Sequence, residues 1–269
     1  QAWSCSDGVL ETVQNRQNDS AFAEIISSSN DVTGPGRTAL GQSLSSMAKE
    51  IIQSMNCTYA GSYVFAGADG LNIPFTWDDS GNLCYRGVAV DSNDTTLDYM
   101  ANDEKRYVDL GLGLKEEDGK LIGASAFDSA LQGITFLGYG VDEEGDPKNI
   151  VSIIARMGAI LENCSSADGS FASEDDRTEF YRLAAKFDDA AANLSDKYIE
   201  LDTRAKFIQN NQAQLENTAY TLEEQFLGLE DADPAEAISA FTWAQYCYNT
   251  ALKVGNSVLS QSLMDYLNL

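Results

Sequence analysis

Residues 180–229, FYRLAAKFDDAAANLSDKYIELDTRAKFIQNNQAQLENTAYTLEEQFLGL, decide the fold. From Phe180 the apolar series runs Leu183, Phe187, Ala190, Leu194, Tyr198, Leu201, Ala205, Ile208, Leu215, Ala219, Leu222, Phe226 and Leu229, with Gln212 in one place of the series. Steps of three and four alternate, apart from one extra four-residue step between Leu194 and Tyr198. A seven-residue repeat makes a narrow seam on a helix, and the seam has to be buried against other helices. No Pro or Gly interrupts residues 175–227. A helix of that length spans roughly 75–80 Å at 1.5 Å per residue. This predicts a rod, and rods scaffold or polymerise more often than they catalyse.

Just upstream, residues 164–173 read as a polar loop, and Ser173 with Asp176 three residues on can open the long helix. Downstream, Asp233, Pro234 and Glu236 make an explicit helix start. The final helix carries Ile238, Phe241, Gln245, Tyr248, Leu252, Leu259, Leu263 and Tyr266 on one side and runs to the last residue. A lone helix cannot satisfy such a face in water. Ile238, Phe241, Tyr248, Leu252, Leu259, Leu263, Tyr266 and Leu267 are therefore the candidate assembly interface.

The first sixty residues read as two helices, over 7–28 (Leu10, Val13, Gln17, Ala21, Ile25) and 37–59 (Leu40, Leu44, Met47, Ile51, Met55, Tyr59), separated by the breaker Gly34-Pro35-Gly36. From Gly61 the texture changes. Short strands are expected at 63–65, 83–90, 95–100, 106–112, 121–126 and 133–140, with turns at 78–82 and 117–120. Asp146-Pro147 then restarts helix, with Ile150, Ile153, Ile154, Met157, Ile160 and Leu161 as its face.

The expected fold is α+β, mostly α: a long-helix rod or bundle formed by the N- and C-terminal segments, with a central β-rich insertion. Its parts are N-terminal rod helices (1–60), the β-rich insertion (61–149), rod helices including the long one and packing with 1–60 (150–232), and the C-terminal assembly helix (233–269).

Composition narrows the function. The chain has 269 residues and a net charge of −25. Phosphate binding needs a concentrated basic surface, so no nucleic-acid partner is expected. No run of eighteen apolar residues predicts a membrane span. The absence of histidine removes Ser-His and Cys-His pairs and His-containing metal sites. Cys5, Cys57, Cys84, Cys164 and Cys247 are scattered, odd in number and without a CxxC pair, which argues against a zinc ribbon, a redox motif or a disulfide framework. They read as small buried hydrophobes.

Asp142-Glu143-Glu144-Gly145-Asp146 lacks the ligand spacing and closing Glu of a calcium loop and reads as a solvated turn. Asp188-Asp189 and Glu174-Asp175-Asp176 read as helix-surface and helix-start acids. Gly111-Leu112-Gly113 and Gly34-Pro35-Gly36-Arg37-Thr38 read as turns, not as nucleotide loops. No catalytic residue, cofactor or metal is implied. An acidic secreted carbohydrate-active enzyme on a helical stalk is the alternative of another class, and it would need a concave site within 61–149.

Asn56-Cys57-Thr58-Tyr59-Ala60-Gly61-Ser62-Tyr63-Val64-Phe65-Ala66-Gly67, followed by Pro74-Phe75, resembles the N-x-x-x-x-G-x-Y-[VIL]-F-[AG]-G…P-F signature of the flagellin superfamily, and most of all its hook–filament junction class. Asn56, Gly61, Tyr63, Phe65, Gly67, Pro74 and Phe75 carry the signature. Tyr85-Arg86-Gly87 resembles the family's following Y-x-G strand. The link 229–238, Ala251-Leu252 and Ser262-Leu263-Met264-Asp265-Tyr266-Leu267 resemble its C-terminal ending.

The resemblance implies a structural component of the bacterial flagellum, an adaptor joining hook to filament through lateral helix packing. It implies a homo-oligomeric ring, a hook-side junction protein and flagellin as neighbours, and the flagellar export machinery with a cytosolic export chaperone. The implied location is extracellular, on the flagellum. A minor filament flagellin is the alternative within the family. The family's opening amphipathic helix, which pairs with the terminal helix, is not found before the opening Gln1-Ala2-Trp3. The expectation is a chain that has lost that segment, leaving the helix after Pro234 without its usual partner. The Arg-rich pattern by which filament flagellins are recognised by an innate immune receptor is also missing, since Val13-Gln14-Asn15-Arg16-Gln17 keeps one Arg.

Overall fold

A computed structural model of the protein describes residues 2–18, 34–111, 113, 115–118, 120–122, 126–165, 167–230 and 234–267. They form two compact units, Gln1–Gln209 and Asn210–Leu269. The first holds helices α1 (Ala2–Gln17), α2 (Gly34–Met55), α3 (Thr95–Asp98), α4 (Gly133–Leu137) and α5 (Ile150–Glu162), and α6 (Glu174–Glu230) as far as Gln209. The second holds the rest of α6 and α7 (Pro234–Leu267). The fold is mostly α with small β elements.

The first unit has one apolar core. α5 stands at its centre, with Ile150, Val151, Ile153, Ile154, Met157 and Leu161 all buried. The seam of α6 is buried at Phe180, Leu183, Phe187, Leu194 and Leu201, as its spacing requires. Ser173 caps α6 by accepting from the Asp176 amide at 3.0 Å, and Glu174, Asp175 and Asp176 fill the first turn, where acids favour the positive end of the helix dipole. α2 and α5 approach so closely that a Cβ on Gly41 would lie 2.7 Å from the Gly158 carbonyl oxygen. A Cβ on Gly158 would lie 2.9 Å from Ser45 Oγ. α1 lies on α2 and α6 through Arg16 to Ser43 (2.6 Å), Gln17 to Asp188 (3.1 Å) and Tyr198 to Asp7 (2.9 Å).

The insertion is built of hairpins, not of one sheet. β1 (Thr58–Tyr59) pairs with β2 (Ser62–Tyr63), and β3 (Phe75–Trp77), β4 (Leu83–Tyr85) and β5 (Val88–Ala89) form an antiparallel sheet. β6 (Tyr107–Val108) pairs with β9 (Phe127–Asp128), and β7 (Glu116–Glu117) with β8 (Lys120–Leu121). Ala60-Gly61 and Arg86-Gly87 both have positive φ at each residue, the primed turn that matches strand twist. The expected turns at 78–82 and 117–120 are present: Asp78 accepts from Ser80 and Asn82, and Glu117 pairs with Lys120.

Several expectations are corrected. Gly34-Pro35-Gly36 does not break helix but opens α2, where the missing Pro amide has no helical partner to lose. Residues 95–98 are helical, not extended, because Asp94 accepts from the Thr96 amide and caps α3, which continues as a π-turn over Tyr99–Asp103. Residues 133–137 form α4 rather than a strand, and Gly138 at φ 84° stops it. Helix after Asp146-Pro147 starts only at Ile150. Asn149 is the cap, accepting from the Val151 and Ser152 amides, while Pro147 bridges Val141. Cys5 and Cys57 form a disulfide, and Cys247 is exposed; Cys84 and Cys164 are buried as expected. The end of the predicted first helix (19–28) and the cap Asp233 lie outside the described residues.

Two Gly→Ala substitutions should act with opposite sign. Gly8 is inside α1 with open space around its missing Cβ, so Gly8→Ala should stabilise by about 0.5–1 kcal/mol. Gly41→Ala should destabilise by about 1–3 kcal/mol through overpacking against α5. Urea midpoints of the two variants against the parent measure both.

Candidate assembly site

The residues quoted for the signature meet at the end of α2. The Asn56 amide side chain donates to the Phe75 carbonyl at 2.8 Å and accepts from the Phe75 amide at 3.0 Å, imitating a strand neighbour for the start of β3. Phe75 is buried, 5.0 Å from Tyr85 between ring centres. Tyr85 is buried too and donates its hydroxyl to the Phe65 carbonyl at 3.0 Å, while Phe65 packs edge-on to Phe136. Burial raises the Tyr85 pKa far above the ordinary phenol range, so it stays a donor. Gly67, at φ 69°, leaves no room for a Cβ, which would sit 2.7 Å from Glu104 Oε2. Pro74 is buried and accepts from the Arg86 amide, Tyr63 donates its amide to Gly70, and Gly61 serves the β1–β2 turn. The structure brings Asn56, Phe65, Gly67, Pro74, Phe75 and Tyr85 together as a structural knot. Arg86, which joins it by donating to Glu104 at 2.6 Å, was legible only as part of the Y-x-G stretch.

The acidic turn at 142–146 is also tied into the fold. Asp146 is 1 % exposed and takes a two-pronged bond from Arg182, one arm at 2.9 Å. Lys186 reaches Asp142 and Glu144, each at 2.6 Å, as well as Asp146. The reading as a solvated turn is corrected: the loop is fastened to α6 by two cations whose i, i+4 spacing puts them on one helix face. Arg182 first, then Lys186, holds the Asp146 carboxyl down at about pKa 2, and the Lys186 ammonium lowers Asp142 as well. A general acid needs a raised pKa, which is the opposite of this arrangement.

α7 presents the candidate interface. Every described side chain at residues 234–257 is exposed, including Ile238, Phe241, Tyr248 and Leu252. Leu259, Leu263, Tyr266 and Leu267 lie on the same helix, with side chains outside the described set. At 100° per residue, Trp243, Cys247 and Val254 fall on the opposite side from the predicted stripe, with Tyr246 between them. Trp243 and Tyr246 are 68 % and 63 % exposed and stack on each other at 5.9 Å. Sequence reading missed this second face, although aromatic residues off the stripe were there to signal it. Within 234–257 only Glu236 and Lys253 are charged. The α6 seam behaves likewise past Gln209, where Leu215, Leu222 and Phe226 are exposed. Among the described residues no helix is long and apolar enough to cross a membrane.

No family model matches the sequence, and no curated protein matches it. The fold is that of solved flagellar proteins. A flagellar hook-associated protein from Vibrio parahaemolyticus is similar with a TM-score of 0.55 at 18% identity, over 82% of this chain and 81% of that one. Flagellar hook-associated protein 3 from Legionella pneumophila is similar with a TM-score of 0.52 at 13% identity, over 83% of this chain and 92% of that one. A second structure from Legionella pneumophila, of the flagellar junction protein FlgL, gives 0.50 at 13%, over 82% and 89%.

The Asp146 knot predicts an acid limb. Its folded pKa of about 2 lies below the ordinary 3.8, so its contribution is complete at neutral pH and disappears as pH falls from about 4 to 2. The loss should be on the order of 2 kcal/mol relative to Asp146→Asn, which lacks the titrating carboxyl. Thermal melts of both proteins across that range isolate the effect from the general relief of charge repulsion, which the two share.

Proposed function

We propose that this chain is a structural component of the bacterial flagellum, an extracellular adaptor that joins hook to filament through lateral packing of its helices. The observation that carries the reading is α7. It is exposed at every described position and apolar on opposite sides, in a fold shared with hook-associated protein 3. A helix with apolar residues on opposite sides needs cover on both, and α7 does not meet the requirements of a membrane span. Cover on both sides calls for more than one neighbour, as a ring of identical subunits supplies. Leu259, Leu263, Tyr266 and Leu267 extend the same stripe toward the chain end. The neighbours along the axis are a hook-side junction protein and flagellin, and delivery runs through the flagellar export machinery with a cytosolic chaperone. The domain scheme that fits is α1 and α2, the insertion, the α5–α6 helices and α7 as the assembly segment.

Deleting the gene should leave hooks without filaments and flagellin in the medium. Filaments on the deletion strain would favour the minor-flagellin reading instead. A Phe241→Asp/Leu252→Asp variant should fold with nearly unchanged stability, since exposed positions cost within about 0.5 kcal/mol. It should nevertheless fail to restore filaments. Maleimide labelling of Cys247 reports on the other face: the thiol should react in the monomer and be shielded in the assembly. Full rescue by the double variant would overturn the α7 interface, and unchanged labelling of Cys247 would overturn packing on both sides.

A further inference from the structure

We infer that the Cys5–Cys57 disulfide is a redox latch on α1, closed when the pair is oxidised and released when a dithiol reduces it. α1 is a weak helix by its own sequence. Its sequence, AWSCSDGVLETVQNRQ, contains Gly8, Asp7, Asn15, Thr12 and two serines, all poor helix formers. A helix of 16 residues with that composition does not persist alone in water. Among its described side chains only Ser6, Val9 and Val13 are buried. Its polar ties include those of Arg16 and Gln17 at one end, and of Asp7, which accepts from Tyr198, toward the other. The disulfide fixes the half of α1 nearest the chain start, and it closes a loop with a sequence separation of 52. A covalent tie across so long a loop removes much of the freedom of the open state.

The far end of the latch matters as much. Cys57 follows Asn56, whose side chain holds Phe75, and its carbonyl accepts the Val64 amide at 3.1 Å. The latch therefore fastens α1 to the hand-over from α2 to the first hairpin, a point braced by these bonds. Both cysteines are partly exposed, so a small dithiol can approach. Release proceeds by thiol–disulfide exchange. A thiolate of the dithiol attacks one sulfur, the other leaves as a thiolate and takes a proton, and the second thiol of the reagent resolves the mixed disulfide. The protein gains two electrons and two protons, and the dithiol becomes a cyclic disulfide. With the tie gone, α1 lifts from the strip of α6 between Asp188 and Tyr198, the two residues to which it is bonded. Cys84 and Cys164 are buried, away from solvent-borne exchange.

Hydrogen exchange of the full chain, with and without dithiothreitol, tests this. Exchange of α1 amides should rise by roughly thirty-fold on reduction, the factor expected from the lower end of cross-link stabilisation. Amides of α5 should not change. Cys5→Ser should exchange quickly in α1 under both conditions, and Cys57→Ser should match it. Thiol titration of the untreated, denatured protein should find three free cysteines, with peptide mapping joining Cys5 to Cys57. Equal α1 exchange with and without dithiothreitol would overturn the inference. So would five free thiols in protein purified without reductant, and neither result depends on a variant folding.

Discussion

The seam on α6 sets the terms for the whole chain. Phe180, Leu183, Phe187, Leu194 and Leu201 point one way along the helix, and covering them is what gathers α1, α2 and α5 into one core. The same face carries Leu215, Leu222 and Phe226, and there it is open to water. The seven-residue repeat of the sequence runs through both stretches, with no Pro or Gly before Gly228. In the proposed assembly the uncovered stretch is contact surface for neighbours.

Much of this was legible because long periodic helices announce themselves. α6 begins at Ser173 as the capping residues imply, and α7 begins at Pro234. The insertion was harder to read, for a physical reason. Its elements are two to five residues long, so local periodicity carries little weight and single caps decide the outcome. Asp94 turns 95–98 helical against the β-branched pair Thr95-Thr96, and tertiary cover from Phe65 and Phe75 lets 133–137 coil where an apolar run suggested a strand. Asp146-Pro147 looked like a helix start, because Pro favours the first helical position. Arg182 and Lys186, far along the chain, claim its carboxylate, and Asn149 takes over the capping. Pairings of that kind have no local signal.

The cysteines teach the same lesson from another side. Their odd number and scatter argue against disulfides, and the structure corrects that for one pair. One bridge joins residues from α1 and from the end of α2, brought together by helix packing that no spacing rule describes. Likewise the second face of α7 escaped a search for a single stripe, because Trp243 and Tyr246 sit where an amphipathic helix would be polar.

Charge supplies the last constraint. At −25, copies of this chain repel one another, and the repulsion is felt over about 10 Å at moderate salt. Apolar contact has to overcome it, and the sequence spaces its acids accordingly. Residues 234–257 carry one acid and one base, so α7 meets a neighbour with little local repulsion, while the acids crowd the insertion and the outer faces of α6. Where acids come together at Asp142, Glu144 and Asp146, Lys186 and Arg182 offset two of the three charges. In the assembly proposed above, repulsion and adhesion thus fall on different surfaces, the acids on one and the apolar sides of α7 on the other.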